Sequence, residues 1–93
     1  MNDDQVEYIQ GIVSRSIGEA RRASRKFPQP NKVLLKVAEE AGAVVKSGVH
    51  LCEGRDFTRD DLEGEVVQTI AMCFRLLIEG DGTIDLPATY QEQ

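Results

Sequence analysis

Three carboxylates, Glu39, Glu40 and Glu65, are the side chains of this 93-residue sequence best placed to do chemistry. Glu40 belongs to the series Lys36, Glu40, Ala43, Ser47 and His50, whose alternating steps of four and three place it on one face of a helix, with Glu39 on the next column. Glu65, Gln68, Arg75 and Glu79 make a second narrow stripe at steps of three, seven and four. Two antiparallel helices bearing these stripes present Glu40, Glu65 and the flanking Glu39 to one another. Carboxylates crowded into one space repel unless a proton or a cation lies between them, and an all-oxygen ligand set selects a hard ion such as Mg²⁺ or Mn²⁺. The competing reading is an ordinary solvated helix face.

The cationic members of the stripes have the same two readings. Lys36, one turn before Glu40, is either a surface ion-pair partner or a phosphate contact. Arg75 lies in an otherwise apolar segment and must pair, either with Glu79 at i+4 or with a phosphate. His50 reads as a surface histidine rather than a general base. Other chemistries are excluded by what is missing. The chain has neither a GxxxxGK[ST] nor a GxGxxG string for a phosphate loop. The stretch EGDGTIDL looks like the middle of an EF-hand loop, but that register puts Leu77 and Ala88 at the first and twelfth ligand positions. Cys52 and Cys73, with one histidine in the chain, cannot build a structural zinc site and read as reduced core thiols.

Three helical segments must position these residues. In the first, Val6, Ile9, Val13, Ile17, Ala20 and Phe27 recur at helical spacing, with Asp4 and Glu7 as a capping pair, up to about Lys26 and the breaker Phe27-Pro28-Gln29-Pro30. Asn31 reads as the N-cap of the second, whose apolar stripe runs from Leu34 to Cys52 and stops at Gly54. Thr58-Arg59-Asp60-Asp61 caps the third, which runs from Leu62 to Glu79 and ends at Gly80. No alternating strand pattern is present, so the expectation is an all-α fold: one domain over residues 1–93, an antiparallel bundle of three main helices. The tail from residue 80 is expected to lie over the bundle or fray.

Length and composition set the remaining bounds. A chain of 93 residues with 41% hydrophobic and 29% charged side chains suits a single small globular domain. It lacks a membrane-spanning apolar run, and its acidic start, MNDDQVEY, is unlike a signal peptide, so a cytoplasmic protein is expected. The net charge of −5 conceals a polarity: residues 15–36 hold seven basic side chains against Glu19, whereas residues 37–93 hold twelve acids and four bases. That distribution, without interleaved aromatics, disfavours nucleic acid as a partner. From Val66 to Ile78 ten of thirteen residues are apolar, more than two partner helices can cover. The arc Val67, Ala71, Phe74 and Ile78 is therefore expected to dock on a second copy, completing the core by homo-oligomerisation.

The segments VLLKVAEEAGAVVKSGVHLCE and LEGEVVQTIAMCFRLLIEGD resemble the all-α nucleotide pyrophosphohydrolase superfamily, the MazG-like and phosphoribosyl-ATP pyrophosphohydrolase group, and most of all its small phage-type MazG-like proteins. The likeness spans Lys32 to Asp81. It implies an ExxE pair on one helix and an ExxD pair on the next, holding a divalent metal over a nucleoside triphosphate. By position Glu40 and Glu65 are metal ligands, and Glu39, the preceding acid, ligates or orients the attacking water. Ala43 replaces the second Glu of ExxE and Gln68 the Asp of ExxD. Gln68 keeps a carbonyl able to ligate weakly; alanine keeps nothing. The resemblance implies one weakly held Mg²⁺ or Mn²⁺ completed by substrate phosphates, with Lys36, Gln68 and Arg75 as contacts. The implied activity is pyrophosphate release from a nucleotide, or nucleotide binding by a degraded relative without turnover.

Overall fold

Strong capping chemistry sets where the helices start. In the computed structural model, which describes residues 1–92, they are α1 (Asp3–Lys26), α2 (Val33–Cys52) and α3 (Arg59–Glu79). The capping box of α1 forms two residues earlier than the sequence suggested. Asn2 Oδ1 accepts from the Gln5 N–H at 2.9 Å, and Gln5 Oε1 accepts from the Asn2 N–H at 2.8 Å. At α3 the expected box is present, Thr58 with Asp61. The helix stops at Gly80, whose φ of +69° suits glycine and where a Cβ would come within 2.2 Å of the Leu86 carbonyl oxygen.

The start of α2 departs from expectation. Lys32, not Asn31, is the N-cap residue, and its side chain makes no capping bond. The cap comes from the tail: Asp81 Oδ2 accepts from the Leu34 N–H at 3.0 Å, while Oδ1 accepts from the Thr83 N–H at 2.9 Å. Asp81 is 1% exposed. The tail is thus folded over the bundle, closed by an Asp81–Leu86 bridge and by Thr89 and Tyr90 N–H groups donating to the Leu77 carbonyl.

Helix α3 is the centre of the fold, and α1 and α2 each pack along it. Tyr8 and Arg15 both reach Glu63 near the start of α3, and Ser24 reaches Glu79 at its end, so α1 runs parallel to α3. The start of α2 lies at Asp81, just past the end of α3, so α2 runs back against it. The up-down-up order follows from the two short connections. The core is small, with Ala23, Ala71 and Met72 at its centre and Ala20 and Val37 packed around them.

The apolar arc expected to face a second copy is divided. Val67 and Ala71 are buried within the chain, because α1 covers this side of α3, while Ile78 is 59% exposed. Val6, Ile9, Val13 and Ile17 are also left outside, because α1 turns Ile12, Ser16 and Ala23 onto α3 instead. Among the described residues, no helix is long and apolar enough to cross a membrane.

Candidate functional site

Because α1 and α2 both pack chiefly on α3, the side chains between them have α3 as a floor. Glu65 and Gln68 rise from that floor, half-buried; Glu40 faces them from α2, also half-buried, with Glu39 exposed beside it. The fold brings Glu40 and Glu65 close enough to interact. Burial pushes the Glu40 carboxyl above its ordinary range, and the Glu65 and Glu39 carboxylates push it further, with Glu19 adding to the effect and Lys36 opposing it.

Glu19 completes the arrangement from α1 and was not singled out from the sequence, where it reads only as the lone acid in a basic run. Its carboxyl is held below the usual range by the Arg22 guanidinium first and by the Gln68 side chain as well. Arg22 Nε donates to both Glu19 oxygens, at 3.2 and 3.0 Å. Carboxylates from all three helices therefore come together, with Glu19 and Glu65 close enough to act on Glu40. Among the described residues, however, no group of three or more His, Cys, Asp or Glu side chains is arranged to hold a metal ion. The donor set that does converge, Glu40 with Glu65, suits an ion carried largely by substrate phosphates, since Mg²⁺ is commonly held by one or two carboxylates plus phosphate and water. Cations edge the acids: the Lys26 and Lys36 ammonium groups lie 5.5 and 5.4 Å from the centroid of the Phe27 ring.

The elevated Glu40 has a measurable consequence. A carboxyl whose pKa is raised on folding stabilises the fold at low pH, and that contribution is lost as pH rises through the folded value. Glu40→Gln is therefore expected to melt at a higher temperature than wild type at pH 7, with the gap closing in acid, where both side chains are neutral. Circular-dichroism melts across pH check this; a variant melting at or below wild type at pH 7 contradicts it.

The second half of the α3 stripe has a different fate. Arg75 is 1% exposed and its guanidinium is occupied: Nε donates to Glu79 Oε2 at 2.9 Å, and Nη2 donates to Glu79 Oε1 and to the Phe27 carbonyl, both at 2.8 Å. Glu79 also accepts from the Ser24 hydroxyl and from Gln29 Nε2. The Arg75 guanidinium, helped by Ser24 and Gln29, holds the Glu79 carboxyl down to about 2. This clamp ties the end of α1 to the end of α3, so of the two sequence readings of Arg75 the structure displays the Glu79 pair. His50 is not a free surface histidine. It packs edge-on against Phe57 at 4.9 Å, Nε2 lies 3.2 Å from Arg55 Nη1, and Nδ1 is buried without a hydrogen-bond partner among the described residues.

A groove of about 550 Å³ lies away from the carboxylates. It lies on the other flank of α1, between Ile17, Ala20 and Arg21 and the α3 residues Phe74, Leu77 and Ile78. A second, polar hollow of about 480 Å³ surrounds Glu63, which accepts from Tyr8 and pairs with Arg15. Compared with known proteins, the chain matches no family model, no curated protein and no solved structure.

Proposed function

We propose that the carboxylate cleft binds a nucleoside triphosphate together with Mg²⁺ or Mn²⁺, and that the chain is a MazG-like nucleotide pyrophosphohydrolase or a weakened relative of one. The observation that carries this reading is the mutual repulsion of Glu40 and Glu65, half-buried on facing helices, which a divalent cation would relieve. Glu40 and Glu65 would hold the ion. When bound, it would neutralise charge on the phosphate oxygens. Lys36, already beside Glu40, contacts phosphate, and Gln68 offers its amide across the floor. Glu39, exposed next to Glu40, orients the water that attacks phosphorus, with the bond to the pyrophosphate leaving group breaking as the new P–O bond forms. Arg75 is not part of this proposal, because its Nε and Nη2 are engaged in the clamp and the side chain is buried there.

A second reading, nucleotide or partner binding without turnover, is favoured by Ala43 and Gln68, which remove two acids from the arrangement that hydrolysis requires in the group the sequence resembles. A pyrophosphate-release screen over the nucleoside triphosphates with Mg²⁺ and Mn²⁺, run beside thermal melts, separates the two. Turnover supports the hydrolase. A rise in Tm with metal plus nucleotide but no released pyrophosphate supports the binding reading. No change in either measurement removes Glu40 and Glu65 as site residues.

A further inference from the structure

The chain leaves more surface uncovered than its size predicts. The molecule exposes 6732 Å², whereas a compact monomer of 10.3 kDa exposes about 5,400 Å². The excess, roughly 1,300 Å², is larger than the ~800 Å² that each partner commonly buries in a stable interface. An apolar stripe on α1 is part of the uncovered surface. Val6, Ile9, Val13 and Ile17 are each between 37% and 47% exposed along one side of α1, and the stripe runs into the groove lined by Ile17, Ala20, Phe74, Leu77 and Ile78.

The charges beside the stripe indicate what covers it. At about 100° per residue, Asp3, Glu7, Arg21 and Arg25 fall on one flank of α1, with the acids at its beginning and the bases near its end. None of the four forms an ion pair within the chain among the described residues. In a parallel pair of α1 helices like charges would lie level with like. In an antiparallel pair each flank meets itself reversed, so Asp3 lies opposite Arg25 and Glu7 opposite Arg21. A surface complementary to its own inverted copy is the pattern of a two-fold interface.

We propose that this face is the interface of a homodimer in which the α1 helices of two copies pack antiparallel about a two-fold axis near Ser14 and Arg15. Each copy lays its Val6 and Ile9 over the groove between α1 and α3 of the other. The interface lies on the flank of α1 away from Glu19, so its test does not depend on the nucleotide reading.

Sedimentation of the full chain at micromolar concentration and low salt tests it. Wild type should sediment at about twice 10.3 kDa. Arg21→Glu/Arg25→Glu and Asp3→Lys/Glu7→Lys should each shift toward monomer, by tenfold or more in Kd, and a mixture of the two should regain the dimer, because each supplies the charge the other lacks. All these positions are exposed, and unchanged helical circular dichroism in the variants excludes unfolding as the cause. A monomeric wild type would overturn the proposal and leave the groove to a different kind of partner. A dimer that ignores both charge variants, or a mixture that stays monomeric, would overturn the antiparallel α1 pairing.

Discussion

Glu79→Ala is expected to cost the fold about 3 kcal/mol, a large fraction of the stability of a domain this size. Removing one partner of a buried ion pair typically costs about 3–5 kcal/mol, because the remaining charge stays desolvated without compensation. The lower figure applies because the Glu79 side chain keeps 18% of its exposure, and water screens part of the pair. Here the stranded charge is the Arg75 guanidinium, 1% exposed, and the same substitution frees the Ser24 hydroxyl and the Gln29 amide. A domain of this length has roughly 5–14 kcal/mol in all, so one clamp is a substantial fraction. The pH dependence has a definite sign. With the Glu79 carboxyl held down to about 2 against an ordinary 4.5, the clamp stabilises fully above pH 4.5 and is lost as pH falls from there through 2. Chemical denaturation at pH 7 and pH 3 is the measurement. Glu79→Ala should lose most of its deficit relative to wild type in acid. A variant within a few tenths of a kcal/mol of wild type at pH 7 contradicts the clamp.

Ala43→Glu is expected to raise Mg²⁺ or Mn²⁺ affinity by on the order of tenfold, equivalent to about 1.4 kcal/mol. Ala43 is half-buried on α2, three residues beyond Glu40 and therefore its neighbour on the same face. A glutamate there adds a third carboxylate to a site whose members already repel. Without metal the variant should melt below wild type, and with metal it should recover, since the added charge repels in the empty site and ligates in the filled one. Gln68→Asp in the same background supplies a fourth acid from the floor of α3 and should strengthen the effect, although it removes the side chain that helps hold Glu19. Melting curves with and without Mn²⁺ on the three proteins check this ordering. Equal metal response in all three would mean that positions 40, 43, 65 and 68 do not converge on one ion.

The parts of the fold written in short-range signals were legible in the sequence. Thr58 with Asp61, the Phe27-Pro28 break and Gly80 each act within a turn of helix, and the helix ends fall within a few residues of where those signals place them. The α2 cap was not legible, because its acceptor, Asp81, lies 47 positions away from Leu34 and nothing local marks the pairing. The polar stripe of α3 was visible as a stripe, but periodicity carries no information about which neighbour each end meets. Glu65 and Gln68 face the cleft between α1 and α2, whereas Arg75 and Glu79 close the end of α1. Glu19 was missed for a related reason. Its importance comes from α1 lying parallel to α3, and only the packing reveals that. The apolar stripe of α1 is plain in the sequence but is not the face that packs: the helix buries Ile12, Ser16 and Ala23 instead, where small side chains allow close approach to Ala71 and Met72.

Calorimetric titration of Mg²⁺-nucleoside triphosphates into wild type and Glu65→Ala at neutral pH asks whether Glu40 and Glu65 hold a metal-bound nucleotide. Glu65 is half-buried on α3, opposite Glu40, so its loss should remove the ion while leaving the Arg75–Glu79 clamp and the core intact. Wild type should show saturable, Mg²⁺-dependent binding that falls at least tenfold in Glu65→Ala, with circular dichroism unchanged. Binding of equal strength to both proteins, or none to wild type with any of the nucleotides, would contradict such a site.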